Sequence, residues 1–379
     1  MQSTESQDQL QDYLNSVFSL SHSENSVKGY RIAVKHFMRF LELKYGCKVI
    51  DLVNSIKDGK LDTYRVISEF VIHLDKSGKK PSTIKGWLAA VKGYLRYLGI
   101  KIYSEDCKNT VRIPKIRRQR EEPMTKELLV RLLRVLPLKL QVAVLVATAS
   151  GMRLGEIVQL KVSDIDFSSK PTLVKIRADT TKTREARETC LTEETTKTLK
   201  DYLTRYFGWK ENVTNDDLCN KVIFGRTSAK SEGSELYNHH RKSSAKSNPV
   251  FVAENVLSSS LKWHLRKIPE FNKLNENGRR AIHFHAFRKY FRTVVGDAVG
   301  RDYAEALMGH HFYLDTYYNL PVDKRRDMYL KAEPYLTISD FVQVEKNLNK
   351  IAERQREIQE ALAKIGVKFP TVYDKAFVV

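Results

Sequence analysis

From Leu140 to Ala149 every residue but Gln141 and Thr148 is apolar, and the run halts at Ser150-Gly151. An apolar stretch of that length closed by glycine predicts a helix with a firm stop. Directly beyond the stop stand Arg153 and Glu156, followed by Ile157 and Leu160 on helical spacing. The pattern therefore sets an arginine just past a helix end, with a carboxylate one turn away to hold neighbouring groups. Thr172 to Arg177 then reads as a strand, and Glu188 to Leu191 as a second. Between them lies Thr180-Thr181-Lys182-Thr183-Arg184, so the segment reads as a hairpin with Lys182 near its turn, although it lacks an Asn-Gly or Asp-Gly signal. Lys175 lies within the first strand.

A second cluster of chemically capable residues lies further on. His285-Ala286-Phe287-Arg288 is followed by Leu307-Met308-Gly309-His310 and by the tyrosines Tyr313, Tyr317 and Tyr318. Together these types supply what an attack on a phosphodiester needs. A guanidinium can fork two phosphate oxygens, an imidazole can move protons, and a phenol can hold the broken strand covalently. A metal centre on His283, His285, His310 and His311 is disfavoured. No acidic or cysteine partner sits at ligand spacing, and the arginines compete with a cation.

The order Arg153, Glu156, Lys182, His285-x-x-Arg288, Gly309-His310 and a late tyrosine resembles the tyrosine recombinase, or phage integrase, family. The closing run Tyr329 to Leu336 looks like its archaeal-type members. The resemblance spans roughly residues 23–339, and its strings are specific as a set. It implies that Arg153 and Arg288 bind the scissile phosphate and that Lys182 gives a proton to the departing 5′ oxygen. It further implies that His285 handles protons with the tyrosine, oriented by Glu156, and that His310 hydrogen-bonds the phosphate. Tyr317 is the expected nucleophile, with Tyr318 second. The interval from His310 to these tyrosines is shorter than in many integrases, and Lys289 replaces a residue that is often histidine in bacterial relatives.

The implied fold class is mostly α with a small β-sheet. Residues 1–22 read as an N-terminal tail and 23–110 as a helical core-binding domain. Residues 111–123 form a basic linker, 124–339 an α+β catalytic domain, and 340–379 a C-terminal helix and tail. In the helical domain, Val27, Tyr30, Val34, Phe37 and Leu41 make one apolar stripe. Ile84, Trp87, Leu88, Val91, Tyr94, Leu95 and Leu98 make another. Lys28, Arg31, Lys35, Lys85 and Lys92, with Arg112, Lys115, Arg117 and Arg118 of the linker, are candidates to touch DNA. The stretch 228–247 is polar and reads as a surface loop. Phe341, Val344, Leu348, Ile351, Gln355, Ile358, Leu362 and Ile365 form a heptad seam suited to contact between protomers.

Charge agrees with a polyanionic partner. Lys and Arg total 65 against 45 Asp and Glu, a net +20 with a pI near 9.6, and such a field favours salt-dependent nucleic-acid binding. The scattered cysteines Cys47, Cys107, Cys190 and Cys219 read as reduced thiols of a cytoplasmic protein. No run is long enough to span a bilayer, and no Gly-x-x-x-x-Gly-Lys phosphate loop occurs. The expected partners are double-stranded DNA and further copies of the chain, four on two duplexes. No cofactor is expected, because a phosphotyrosyl link conserves the bond energy. A type IB topoisomerase-like nicking-closing enzyme and a silent DNA-binding protein are the alternatives.

Overall fold

The computed structural model describes residues 2–115, 122–210, 216–224, 249–274, 280–310, 320–339, 354–358 and 361. The expected nucleophiles Tyr317 and Tyr318, Tyr313, His311, Arg117 and Arg118 lie outside these residues. So do the 228–247 loop and nearly all of the heptad segment. The chain divides into two compact units, Met1–Gln119 and Arg120–Val379. Among the described residues no helix is long and apolar enough to cross a membrane.

The first unit is helical: α1 Gln2–Ser21, α2 Glu24–Tyr45, α3 Val49–Lys57, α4 Thr63–Lys76, α5 Pro81–Tyr97 and α6 Ser104–Thr110. Local signals set its boundaries. The Ser23 side chain accepts from the Ser26 amide to start α2, Asp62 does the same for Arg65 at α4, and Pro81 opens α5. Gly46 ends α2 in the left-handed region at φ 62°. The two expected stripes face inward: Val34, Phe37 and Leu41 of α2 meet Ile84, Leu88, Val91 and Tyr94 of α5 in one core with Phe70 of α4. Phe37 and Phe70 meet edge to face with ring centroids 5.1 Å apart.

The expectation of a tail over 1–22 is overturned. Residues 2–21 form α1, and Leu10, Tyr13, Leu14 and Val17 are buried. Their spacing is that of one helical face, here buried against α2 and α5. The Tyr13 hydroxyl donates to the Ala90 carbonyl at 3.0 Å, and its ring lies 5.2 Å from that of Tyr94. Polar residues around this stripe mask it in the sequence.

The second unit holds α7 Lys126–Val135, α8 Leu138–Ser150, α9 Leu154–Ile157, α10 Glu193–Phe207, α11 Asp216–Cys219, α12 Pro249–Arg266, α13 Phe284–Ala298, α14 Arg301–Met308 and α15 Val322–Leu336. Its sheet is antiparallel in the order β1 Ile165–Asp166, β2 Thr172–Ile176, β3 Arg187–Leu191. Helix α8 is the spine. It is buried from Val142 to Ser150 and packs against α10, α13, α15 and β3. An apolar helix without a polar face can be stable only when covered all round, and here it is. The β2–β3 hairpin pairs Thr172 with Leu191 through Ile176 with Arg187. Helix α15 is tied to the end of α8 by the fully buried Tyr329, whose hydroxyl donates to the Ala149 carbonyl at 2.8 Å. The Glu194 carboxylate accepts from the Ile338 and Ser339 amides at 2.7 and 2.8 Å, fixing the chain beyond α15.

Candidate active site

Two helix ends found the site. Helix α8 stops at Gly151 (φ 65°) and α14 at Gly309 (φ 64°), both left-handed C-caps. The carbonyls of a helix's last turn have no partner within the helix. Arginines take some of them here. Arg288, on the first turns of α13, donates from Nη1 to the Gly151 carbonyl and from Nη2 to the Met308 carbonyl at 2.7 Å. Arg187, the first residue of β3, donates from Nε to the Leu307 carbonyl at 2.9 Å. Cations at helix C-termini also meet the negative end of the helix dipole.

Glu156 joins Arg187 to Arg153 and lies near enough to Arg288 to act on its charge. Its side chain is 1% exposed. Arg187 grips it in a two-pronged bond, Nη1 to Oε1 at 3.1 Å and Nη2 to Oε2 at 2.6 Å. Arg153 donates from its Nη1 to Oε1 at 3.1 Å and from its backbone amide to Oε2 at 2.8 Å. Burial alone would push the Glu156 pKa up, but the Arg187 and Arg153 bonds outweigh it and hold the carboxyl below its usual range. Arg153 remains about a quarter exposed. Arg288 is only 2% exposed. Burial, and then the Arg153 charge, lower its pKa from 12.5 to about 9, so it stays a cation at neutral pH.

His310 completes the cluster. Its Nε2 lies 2.9 Å from Arg288 Nη2, and its Nδ1 faces Glu305 Oε2. A guanidinium can only donate and a carboxylate can only accept. These contacts fit the tautomer in which Nδ1–H donates to Glu305 and Nε2 accepts from Arg288. Arg292, one turn beyond Arg288, donates from Nε to Glu305 Oε1. Burial tends to raise the Glu305 pKa, but the His310 and Arg292 bonds bring it below the ordinary value, keeping it ionised.

The structure thus brings Arg153, Glu156, Arg288 and His310 of the expected set together. His285 is exposed on the first turn of α13, its ring 6.3 Å from that of His283. The Glu156 carboxylate, expected to orient His285, bonds Arg153 and Arg187: two guanidiniums with matched donors occupy both its oxygens. Lys182 is exposed on the loop between β2 and β3. That loop is closed by the Thr181 hydroxyl, which donates to the Ala178 and Glu185 carbonyls and accepts from the Glu185 amide at 3.0 Å. Lys175 is exposed within β2. His283 is placed as an N-cap residue of α13, with Nδ1 near the Arg280 and Ala281 carbonyls at 3.1 and 3.0 Å. In the first unit Lys28, Lys35 and Lys85 are exposed. Arg31 donates to Gln11 at 3.2 Å, and Lys92 lies 3.7 Å from the Cys107 sulfur. Arg112 and Lys115 are exposed.

Sequence reasoning missed Arg187, Glu305 and Arg292. The signal for Arg187 was a cation opening a strand that otherwise runs into the core. For Glu305 it was a carboxylate in the last turns of the helix before Gly309-His310.

Gly309 is required twice over. Its φ is left-handed, and an added Cβ would stand 2.8 Å from Arg187 Cδ and 3.0 Å from its Nε. Gly309→Ala is expected to cost about 1–3 kcal/mol through backbone strain and displacement of Arg187. Urea unfolding measures it, and an unchanged midpoint would show that the turn yields freely.

Guanidiniums clustered at a buried carboxylate, next to an imidazole, make a site suited to a phosphoryl group. Residues 122–313 match the Phage integrase family, half of the chain, and the chain belongs to that family. It is 27% identical over 220 residues to the tyrosine recombinase XerC of Chlamydia caviae, covering 51% of this chain and 64% of the relative. The chain thus spans less than two thirds of that relative's length. Among solved structures it resembles a lambda integrase (75–356) dimer bound to a COC′ core site, with a TM-score of 0.52 and 16% identity over 83% of this chain and 98% of the other. Another lambda integrase dimer on a COC′ core site gives a TM-score of 0.52 and 15% identity over 85% and 76%. These likenesses establish the fold: mostly helical, with a small three-stranded sheet.

Proposed function

We propose that the chain is a site-specific DNA recombinase that cuts and rejoins strands through a 3′-phosphotyrosyl intermediate. The observation that carries this reading is the clustering of Arg153, held by the buried Glu156, with Arg288, which bonds His310, within the family-matched segment. In the proposed step the Tyr317 oxygen attacks phosphorus. The bond to the 5′ oxygen breaks, and that oxygen leaves with a proton from Lys182. The phenol proton passes to His285. Arg153 and Arg288 offset the charge that builds on the non-bridging oxygens. His310 hydrogen-bonds one of these oxygens, its ring held by Glu305. A 5′-hydroxyl of the partner strand reverses the step, so bond energy is kept.

Double-stranded DNA is the substrate in this reading. Lys28, Arg31, Lys35, Lys85 and Lys92, with Arg112, Lys115, Arg117 and Arg118, contact the phosphate backbone. Four protomers act on two duplexes, and the heptad segment 340–379 joins neighbours. The run from Tyr329 to Leu336 supports an archaeal-type member, and in this reading the enzyme serves a viral or plasmid element in the host cytoplasm. The domain limits 23–110, 111–123 and 124–339 are part of the same reading.

The test is a duplex nicked inside the target site, so that cutting traps the protein on DNA. The wild type is expected to form a covalent adduct on denaturing gels, and Tyr317→Phe to lose it. An adduct that survives in Tyr317→Phe and vanishes in Tyr318→Phe moves the nucleophile by one residue. If neither change matters, the mechanism fails.

A further inference from the structure

We propose that Arg187 is a positioning residue for strand cleavage, holding Glu156, and through it Arg153, in register with the Gly309-His310 turn. The proposal rests on the recombinase reading. Arg187 carries no substrate role in it; its Nε and both Nη atoms bond protein groups.

Its contacts reach elements far apart in sequence. Nη1 and Nη2 hold Glu156, 31 residues away, and Nε holds the Leu307 carbonyl, 120 residues away. The side chain is 10% exposed. Its aliphatic part lies over Gly309, where a Cβ would strike Cδ at 2.8 Å. Arg187 also opens β3, whose hairpin loop carries Lys182. One side chain therefore ties three sources of expected catalytic groups: the Arg153 turn, the Lys182 hairpin and the His310 turn.

The geometry of the carboxylate explains why this matters for chemistry. Glu156 receives Arg153 on one side and Arg187 on the other. Without Arg187, the carboxylate can turn toward the nearest remaining cations, and Arg153 turns with it. A rotation of this kind leaves the fold in place and misplaces a phosphate-binding guanidinium. Misplacement by about 1 Å costs on the order of 100-fold in rate. Lysine at this position offers a single charged nitrogen and cannot span both Glu156 oxygens and the Leu307 carbonyl.

The experiment compares Arg187→Met and Arg187→Lys with the wild type, full length, on the nicked duplex. Equilibrium DNA binding is expected to stay within about threefold, because the hydrogen bonds that Arg187 makes are internal to the protein. Single-turnover adduct formation is expected to fall about 100-fold in Arg187→Met, with Arg187→Lys recovering part of the loss. Glu156→Gln combined with Arg187→Met is expected to be no slower than the slower single variant, since both act on Arg153. Wild-type cleavage by Arg187→Met, multiplying losses in the double variant, or DNA binding that falls in step with cleavage would each overturn the proposal. A second readout needs no turnover: the guanidinium nitrogen resonances of Arg153 are expected to shift in Arg187→Met. Unmoved resonances overturn the positioning role even if the wild type forms no adduct, whereas a missing wild-type adduct with shifted resonances counts against the recombinase reading alone.

Discussion

Arg288→Ala is expected to slow strand cleavage by about 100- to 1000-fold, the loss seen when one preorganised donor to a developing oxyanion is removed. The same change is expected to lower the stability of the second unit by about 3–5 kcal/mol. Both effects have one origin. The side chain is almost wholly buried, and it satisfies the Gly151 and Met308 carbonyls and bonds His310. Removing it opens a large hole and leaves two buried carbonyls without a donor, each costing about 1–3 kcal/mol. It also frees the His310 ring on its Nε2 side. Arg288→Lys separates the effects. A lysine keeps the charge near the phosphate site but cannot reach both carbonyls in a fixed fork. It should recover some stability and little cleavage. Urea unfolding and single-turnover cleavage measure the two, and an alanine variant that unfolds like the wild type would contradict the structural role.

Glu156→Ala is the second large effect. It removes the carboxylate shared by Arg153 and Arg187, close to the buried Arg288 charge. Three guanidiniums then crowd a poorly hydrated space with no counter-charge. Breaking a buried pair from one side typically costs about 3–5 kcal/mol, and cleavage is expected to fall with it. Glu156→Gln keeps the shape but loses the charge and should fall between. The pH dependence follows from the depressed carboxyl. Its stabilising contribution is complete above the unfolded-chain value of about 4.3. It is lost as pH falls through the lower folded value. The wild type should therefore lose stability in that acid window, and Glu156→Gln should lose less there. Identical acid unfolding of the two would show that Glu156 carries no such linkage.

Much of the architecture was readable from periodicity alone. The apolar run before Gly151 gave α8 and its stop, and the stripes through Phe37 and Leu88 gave the helices that line the first core. Helix α1 was hidden because its apolar positions sit among polar ones, so local composition resembled a tail. The site was legible as far as residue types go: Arg153, Glu156, Arg288 and His310 all meet. What could not be read was the partner of each. Arg187 looked like the charged edge of a hairpin, since its bonds depend on segments 31 and 120 residues away. Arg288 was read only as a phosphate ligand, whereas in the structure its guanidinium donates to two main-chain carbonyls. Glu156 was assigned to a histidine, but guanidiniums offer a carboxylate better-matched donors.

The two glycine-ended helices carry a consequence for the cell. Because Arg288 is riveted across both final turns, fraying at either one releases its side chain. Under the proposed function, a half-made or heat-damaged copy, however basic, would then cling to DNA without nicking it. In that reading correct folding serves as a licence for cleavage.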